Sequence, residues 1–325
     1  MRTIGLGNAL VDVVLRVKDE SVLSDIGIAK GAMELIDKDQ MIRLRSASTD
    51  LSRSVSPGGS VCNTIRAMAN LGANVGYIGK IGSDELAQSY ESALQQAGVE
   101  PNFVKTEGIS GSCTVFVTPD GERTMATFLG PAATLNPAEL KSEIIRTYDC
   151  IYIEGYLIVN EPLFREALSL AKEAGLKVAL DLSSFNVVES NLAMLQEVIP
   201  AYVDILFCNE QESFSFTGLS PREAASRLAQ MVDIAVVTLG KEGALVATGN
   251  EVIPIDAVKA RAVDTTGAGD HFAAGFLFGL SKSATLDRAA RIGALLASHV
   301  VEVSGACIPD HQWEQIKLKV AHILN

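Results

Sequence analysis

From about residue 145 onward, short β-branched runs alternate with longer stretches of helical period, the pattern of βαβ units around a parallel sheet. The runs Cys150–Ile153, Lys177–Leu182, Ile205–Cys208 and Ile234–Thr238 read as strands. Helices are expected over Glu161–Ala174, Pro221–Met231, Ala268–Leu280 and Thr285–Val303. Upstream, Val75–Ile78 reads as a strand and Asp84–Ala97 as a helix, with Ser83 as its cap and Gly98 as its stop. Two stretches break the rhythm. Residues 12–57 read as irregular, and polar in their second half. Ser112–Thr118 and Glu122–Leu129 read as a β-hairpin around Pro119-Asp120-Gly121. The expected fold class is therefore α/β: a large three-layer domain with a mainly parallel sheet, and a small β lid assembled from discontinuous pieces. Residues 1–11, 60–109 and 128–325 are assigned to the large domain, and 12–59 and 110–127 to the lid.

Composition narrows the partners. The 325 residues carry 27 basic against 39 acidic side chains, a formal net charge of −12, and hold no long Lys/Arg run. Nucleic acid and anionic membrane surfaces are excluded as partners on that ground. The most apolar windows, His271–Leu280 and Ala289–Val301, are shorter than the ~20 residues of a membrane span. Met1–Gly5 lacks an apolar signal core, so a cytoplasmic protein is expected, as a monomer or a homodimer. Five scattered cysteines (62, 113, 150, 208, 307) fit reduced thiols, and the four histidines have no zinc-ligand spacing.

The most specific stretch is Val263-Asp264-Thr265-Thr266-Gly267-Ala268-Gly269-Asp270, a glycine-rich turn entering an apolar helix. Small residues at Gly267, Ala268 and Gly269 let backbone N–H groups converge at a helix N-terminus, where the dipole favours phosphate charge. Asp270 in the first turn is placed to take a proton from a hydroxyl beside that phosphate. Alone, such a turn is more often a plain capped helix start. Competing phosphate motifs fail: Gly5-Leu6-Gly7-Asn8-Ala9-Leu10 has Leu where a dinucleotide fingerprint needs its third Gly, and Gly240-Lys241 is followed by Glu242.

The signature does not stand alone. Pro57-Gly58-Gly59-Ser60-Val61-Cys62-Asn63-Thr64, Gly79-Lys80-Ile81-Gly82-Ser83-Asp84, Asn209-Glu210-Gln211-Glu212 and Thr238-Leu239-Gly240 with Gly243 follow in order. Together with the Asp264–Asp270 stretch they resemble the ribokinase-like (PfkB) family of sugar and nucleoside kinases across essentially the whole chain. The resemblance implies ATP as phosphoryl donor, Asp270 as base with the anion hole Gly267–Gly269, and Arg123 of the lid hairpin reaching the transferred phosphate. It places Asn8, Asp12, Gly58, Gly59, Asn63 and Cys113 at the substrate, and Asn209, Thr238, Gly240, Gly243 and Thr265 at the nucleotide. Asn209 and Glu212 would hold Mg²⁺ through water, and Asp264 and Thr266, opposite Ser304–Ala306, K⁺.

Each residue also has a plainer reading: Asn63 as a helix-surface amide, Asp12 as a strand-end turn residue, Arg123 as a solvated arginine, Asn209 with Glu212 as a helix cap. A non-catalytic binding protein on this fold would be expected to lose Asp270 and its glycines, which are intact. Several segments, among them Ala201–Glu210 and Gly111-Ser112-Cys113, resemble the adenosine kinase branch. Tyr156-Leu157 stands where that branch has paired Phe, and Thr266 where it has Asn, so a free or phosphorylated sugar is the alternative acceptor.

Overall fold

The structure is a computed structural model that describes the chain except residues 19, 20, 22, 24–26, 32, 49–52 and 120–122 and the side chains of 33, 47 and 123. Fourteen strands are present among the described residues: β1 (Thr3–Leu6), β2 (Leu10–Arg16), β3 (Met33–Leu35), β4 (Arg53–Gly58), β5 (Val75–Ile81), β6 (Val99–Lys105) and β7 (Ser112–Val117), then β8 (Arg123–Phe128), β9 (Cys150–Glu154), β10 (Lys177–Asp181), β11 (Ile205–Asn209), β12 (Ile234–Thr238), β13 (Ala244–Thr248) and β14 (Glu251–Ile255). Nine form one sheet in the order β14-β13-β12-β11-β10-β9-β1-β5-β6, parallel from β12 to β6, with β13 and β14 antiparallel at the edge.

Both faces of this sheet are covered, which is why its strands read as near-continuous apolar runs. Ile151, Ile153, Val178, Leu180, Leu206 and Val237 point into one core, beneath the helices Glu161–Glu173, Leu192–Tyr202 and Pro221–Leu228. Tyr152, Ala179, Phe207 and Val236 point to the other face, under the helices Ser60–Asn70, Ala268–Ser281 and Leu286–Val300. No described helix is long and apolar enough to cross a membrane.

The remaining strands make a separate sheet, β3-β8-β7-β2-β4. Residues 12–57, expected to be irregular, contain most of β2 and β4, all of β3 and the helix Lys38–Ala47. Their pairing partners lie far off in the chain, as when Val14 sits beside Val115, so no local turn announces them. Asp12, expected at the end of the first strand, lies inside the second, opposite Ser56 and Cys113. The hairpin β7–β8 is antiparallel as expected, although its turn residues Asp120 and Gly121 fall outside the described residues. The cap of the helix Glu85–Gln96 is Asp84 and not Ser83: the Asp84 carboxylate accepts from the Ala87 amide, while the Ser83 amide is turned to the Gly108 carbonyl.

One face of the small sheet packs Leu15, Phe116 and Ala126 against Met41 and Leu44. The other, bearing Leu10, Asp12, Val14, Cys113 and Val115, lines a cleft that runs to the carboxyl edge of the large sheet.

Candidate active site

Three neighbouring parallel strands end in polar residues of one parity: Glu154 on β9, Asp181 on β10 and Asn209 on β11. Alternation along each strand sends them to the face packed by the helices Ser60–Asn70 and Ala268–Ser281. Open α/β sheets bind ligands beyond this edge. All three line a cleft of about 1410 Å³. Glu154 and Asp181 were not among the residues expected at the site. The signal was a single carboxylate closing an otherwise apolar run, as in Cys150–Glu154.

The glycine turn sits across from this edge. Gly267 caps the helix Ala268–Ser281 with φ of 75°, and a Cβ there would stand 2.7 Å from that of Ala306. A methyl on Gly269, which lines the cleft, would meet open space. In the first turn, Asp270 accepts from Ser60 Oγ at 2.7 Å and from Asn63 Nδ2 at 2.8 Å. Burial outweighs these two bonds and pushes its carboxyl up to about 6.

Asn63 spends its amide nitrogen on Asp270, and its Oδ1 is buried with no partner among the described residues. An orphaned acceptor beside a carboxylate suits a substrate hydroxyl, which can donate to one and then to the other. Asn8 is held otherwise. Its backbone and side-chain amides donate to Glu154 Oε1 at 2.9 and 2.7 Å, and the Val61 amide donates to Oε2 at 3.3 Å. Glu154 is 1% exposed, and burial pushes it up to about 7 despite these donors. Gly59 takes φ of 92°, and a Cβ on it would press on the Asn8 carbonyl. Gly58 lies under the Asp12 carboxyl, off the cleft wall, while Asp12 and Cys113 face the cleft side by side. Burial first, and Asp12 second, push the Cys113 thiol up to about 12.

At the β11 end of the cleft, Asn209 and Glu212 form a reciprocal cap at the start of the helix Glu210–Thr217. Asn209 Nδ2 donates to Glu212 Oε1 at 2.7 Å and its backbone amide to Oε2 at 2.9 Å. Burial raises the Glu212 carboxyl; burial, then Glu212 and Asp270, raise Asp181 well above the carboxylate range. Thr238, Gly240 and Thr265 line the cleft, but Gly243 does not: it turns the chain against the Ile255 carbonyl at the sheet edge. Asp264, also off the cleft wall, accepts from the Thr266 hydroxyl at 2.7 Å and the Gly305 amide at 2.5 Å, tying the signature loop to Ser304–Ala306. The Arg123 side chain lies outside the described residues.

Asp12, Glu154, Asp181, Glu210, Glu212 and Asp270 line the cleft, with no Lys or Arg among the described lining residues. A triphosphate entering such a field needs a cation to travel with it. The donor set therefore fits a hydrated divalent ion bound with the nucleotide. No described cluster of three or more His, Cys, Asp or Glu is shaped to hold a metal by itself.

The model of the pfkB family of carbohydrate kinases matches residues 26–313. An uncharacterized sugar kinase of Archaeoglobus fulgidus is 31% identical over 249 residues, 74% of this chain and 96% of that protein. A probable sugar kinase from Rhizobium etli CFN 42 has a TM-score of 0.87 at 31% identity, over 99% of this chain and 98% of its own. Adenosine kinase from Sinorhizobium meliloti has a TM-score of 0.84 at 33% identity, over 96% of this chain and 98% of its own. A family match of that length, with whole-chain likeness to both a sugar kinase and an adenosine kinase, makes this chain a member of the pfkB family of carbohydrate kinases, phosphotransferases that act on an alcohol group.

Proposed function

We propose that the protein transfers the γ-phosphoryl group of ATP to a primary hydroxyl of a nucleoside of the adenosine kind. The observation that carries the acceptor class is the face of the small sheet turned to the cleft. Leu10, Val14, Val115 and Met125 line it beside the single carboxylate of Asp12 and the hydroxyls of Ser54, Ser56 and Thr127. A free sugar carries hydroxyls around its ring and would leave these apolar walls unmatched, whereas a base would cover them.

Asp12 and Asn63 would hold the ribose hydroxyls, and Asp270 would take the proton of the attacking one. The new O–P bond forms as the bond from the γ-phosphorus to the β–γ bridging oxygen breaks, and ADP leaves. The turn Gly267–Gly269 would hold the charge on the transferring group. Asn209 and Glu212 would orient the water shell of Mg²⁺, which when bound neutralises the phosphates. Asp264 and Thr266, with the 304–306 loop, would form the K⁺ site. EDTA should abolish turnover, and replacing potassium by a bulky organic cation should lower it.

A free sugar is the second reading, favoured by Leu157, which removes one aromatic face. Tyr156 lines the cleft and could supply a stacking face, whereas Phe128 and Phe185, the other rings weighed for that place, do not line it. Steady-state competition among adenosine, inosine, ribose and fructose at equal concentration tests both readings. The nucleoside assignment requires adenosine or inosine to show the highest kcat/KM; a sugar in first place overturns it.

A further inference from the structure

Arg66, on the helix Ser60–Asn70, takes no part in the steps above. Its Nη1 donates to Cys307 Sγ at 3.0 Å and to the Pro57 carbonyl at 3.3 Å. Its Nε is buried without a partner among the described residues. Burial acts to lower its pKa, the groups that raise it are Cys307, Cys62 and Tyr90, and no carboxylate is among them. Arg66 is partly buried, and a guanidinium in such a place without a carboxylate partner is an uncommon arrangement.

The two groups it joins belong to different parts of the site. Pro57 is the penultimate residue of β4, which returns from the small sheet through Gly58-Gly59 to the helix bearing Ser60 and Asn63. Cys307 ends the segment 304–307 on the cleft wall. Ala306 of that segment is the residue that a side chain on Gly267 would strike, and Gly305 is pinned to Asp264. The segment is thus fastened to the signature loop through Asp264 and to the returning lid strand through Arg66. His271 lies within the field of Arg66, and its Nδ1 is 2.9 Å from the Gly267 carbonyl.

We propose that Arg66 is a positioning residue that couples the returning lid strand at Pro57 to the segment Gly305–Cys307, setting that segment against the Gly267 turn where the phosphoryl group is held. The proposal rests on the phosphate reading of that turn and is independent of which acceptor is used.

The test is a cycle of Arg66→Met, Cys307→Ala and the double variant, with Arg66→Lys beside it. Each is followed by kcat and by hydrogen exchange of the amides 304–308. Arg66→Met should lower kcat about tenfold and speed exchange in 304–308 severalfold, with peptides of β9–β11 unchanged. Cys307→Ala should give part of that loss and add nothing to Arg66→Met, because both cut one connection. Arg66→Lys, whose ammonium cannot reproduce the planar fork, should fall between. Multiplicative losses in the double variant, or wild-type exchange of 304–308 in Arg66→Met, would overturn the coupling, since a side chain that only fills space predicts both. If Arg66→Met does not fold, wild-type kcat and exchange in Arg66→Lys would overturn it equally. The exchange measurement needs no turnover, so it separates failure of the coupling from failure of the phosphate assignment.

Discussion

Asn63 Nδ2 lies 2.8 Å from Asp270 Oδ2, although 207 positions of chain separate the two residues. The bond orients the carboxylate and leaves the Asn63 oxygen buried and without a partner among the described residues, on a side chain that lines the cleft. Two predictions concern this pair.

Asp270→Asn should lower kcat by about 10²–10⁴-fold with little change in ATP affinity, measured by steady-state kinetics and nucleotide titration. The base acts as its carboxylate, whose pKa burial raises to about 6. In the wild type, kcat should therefore fall tenfold per pH unit below about pH 6. A flat profile from pH 8 to 5 would remove Asp270 from the role.

Asn63→Ala deletes a bond that favours the ionised form of Asp270. The acid limb of the kcat profile should move to higher pH, and the acceptor KM should rise. A limb that stays in place or moves down contradicts the pairing.

Asp12→Ala should act on the acceptor alone. Loss of a buried hydroxyl-binding partner is worth about 1–3 kcal/mol, about a 5- to 150-fold rise in acceptor KM. A change confined to the KM for ATP would reverse the two ends of the cleft.

The glycines of the turn should separate by phenotype. Gly267→Ala sets a side chain at φ of 75° against Ala306, so lower stability is expected, read as Tm. Gly269→Ala meets open space in the protein and should fold as the wild type. With phosphate held at this turn as proposed, the added methyl would crowd it, so a raised KM for ATP with unchanged Tm is expected.

Glu154 predicts the pH dependence of stability. Its pKa of about 7 in the fold stands above the ordinary glutamate value, so between about pH 4 and 7 the folded state binds the extra proton. Its contribution is present at low pH and is lost as pH rises through 7, on the order of 3 kcal/mol in all. Glu154→Gln should flatten this part of a Tm-against-pH curve, and an unchanged slope would place the titration elsewhere.

The chain's local pattern determined the βαβ rhythm, because strands buried on both faces must be apolar throughout and helices between them must carry one apolar stripe. It also determined the glycine turn and Asp270, since small residues before an apolar helix leave their mark within a few positions. The small sheet was decided only in three dimensions: β2 finds β7 about a hundred residues away, and no local period records such a pairing. The same holds for Glu154 and Asp181, which look like ordinary strand ends until register sets them side by side. Their altered proton affinities follow from burial and from neighbouring charge, and both are properties of distance in space rather than distance along the chain.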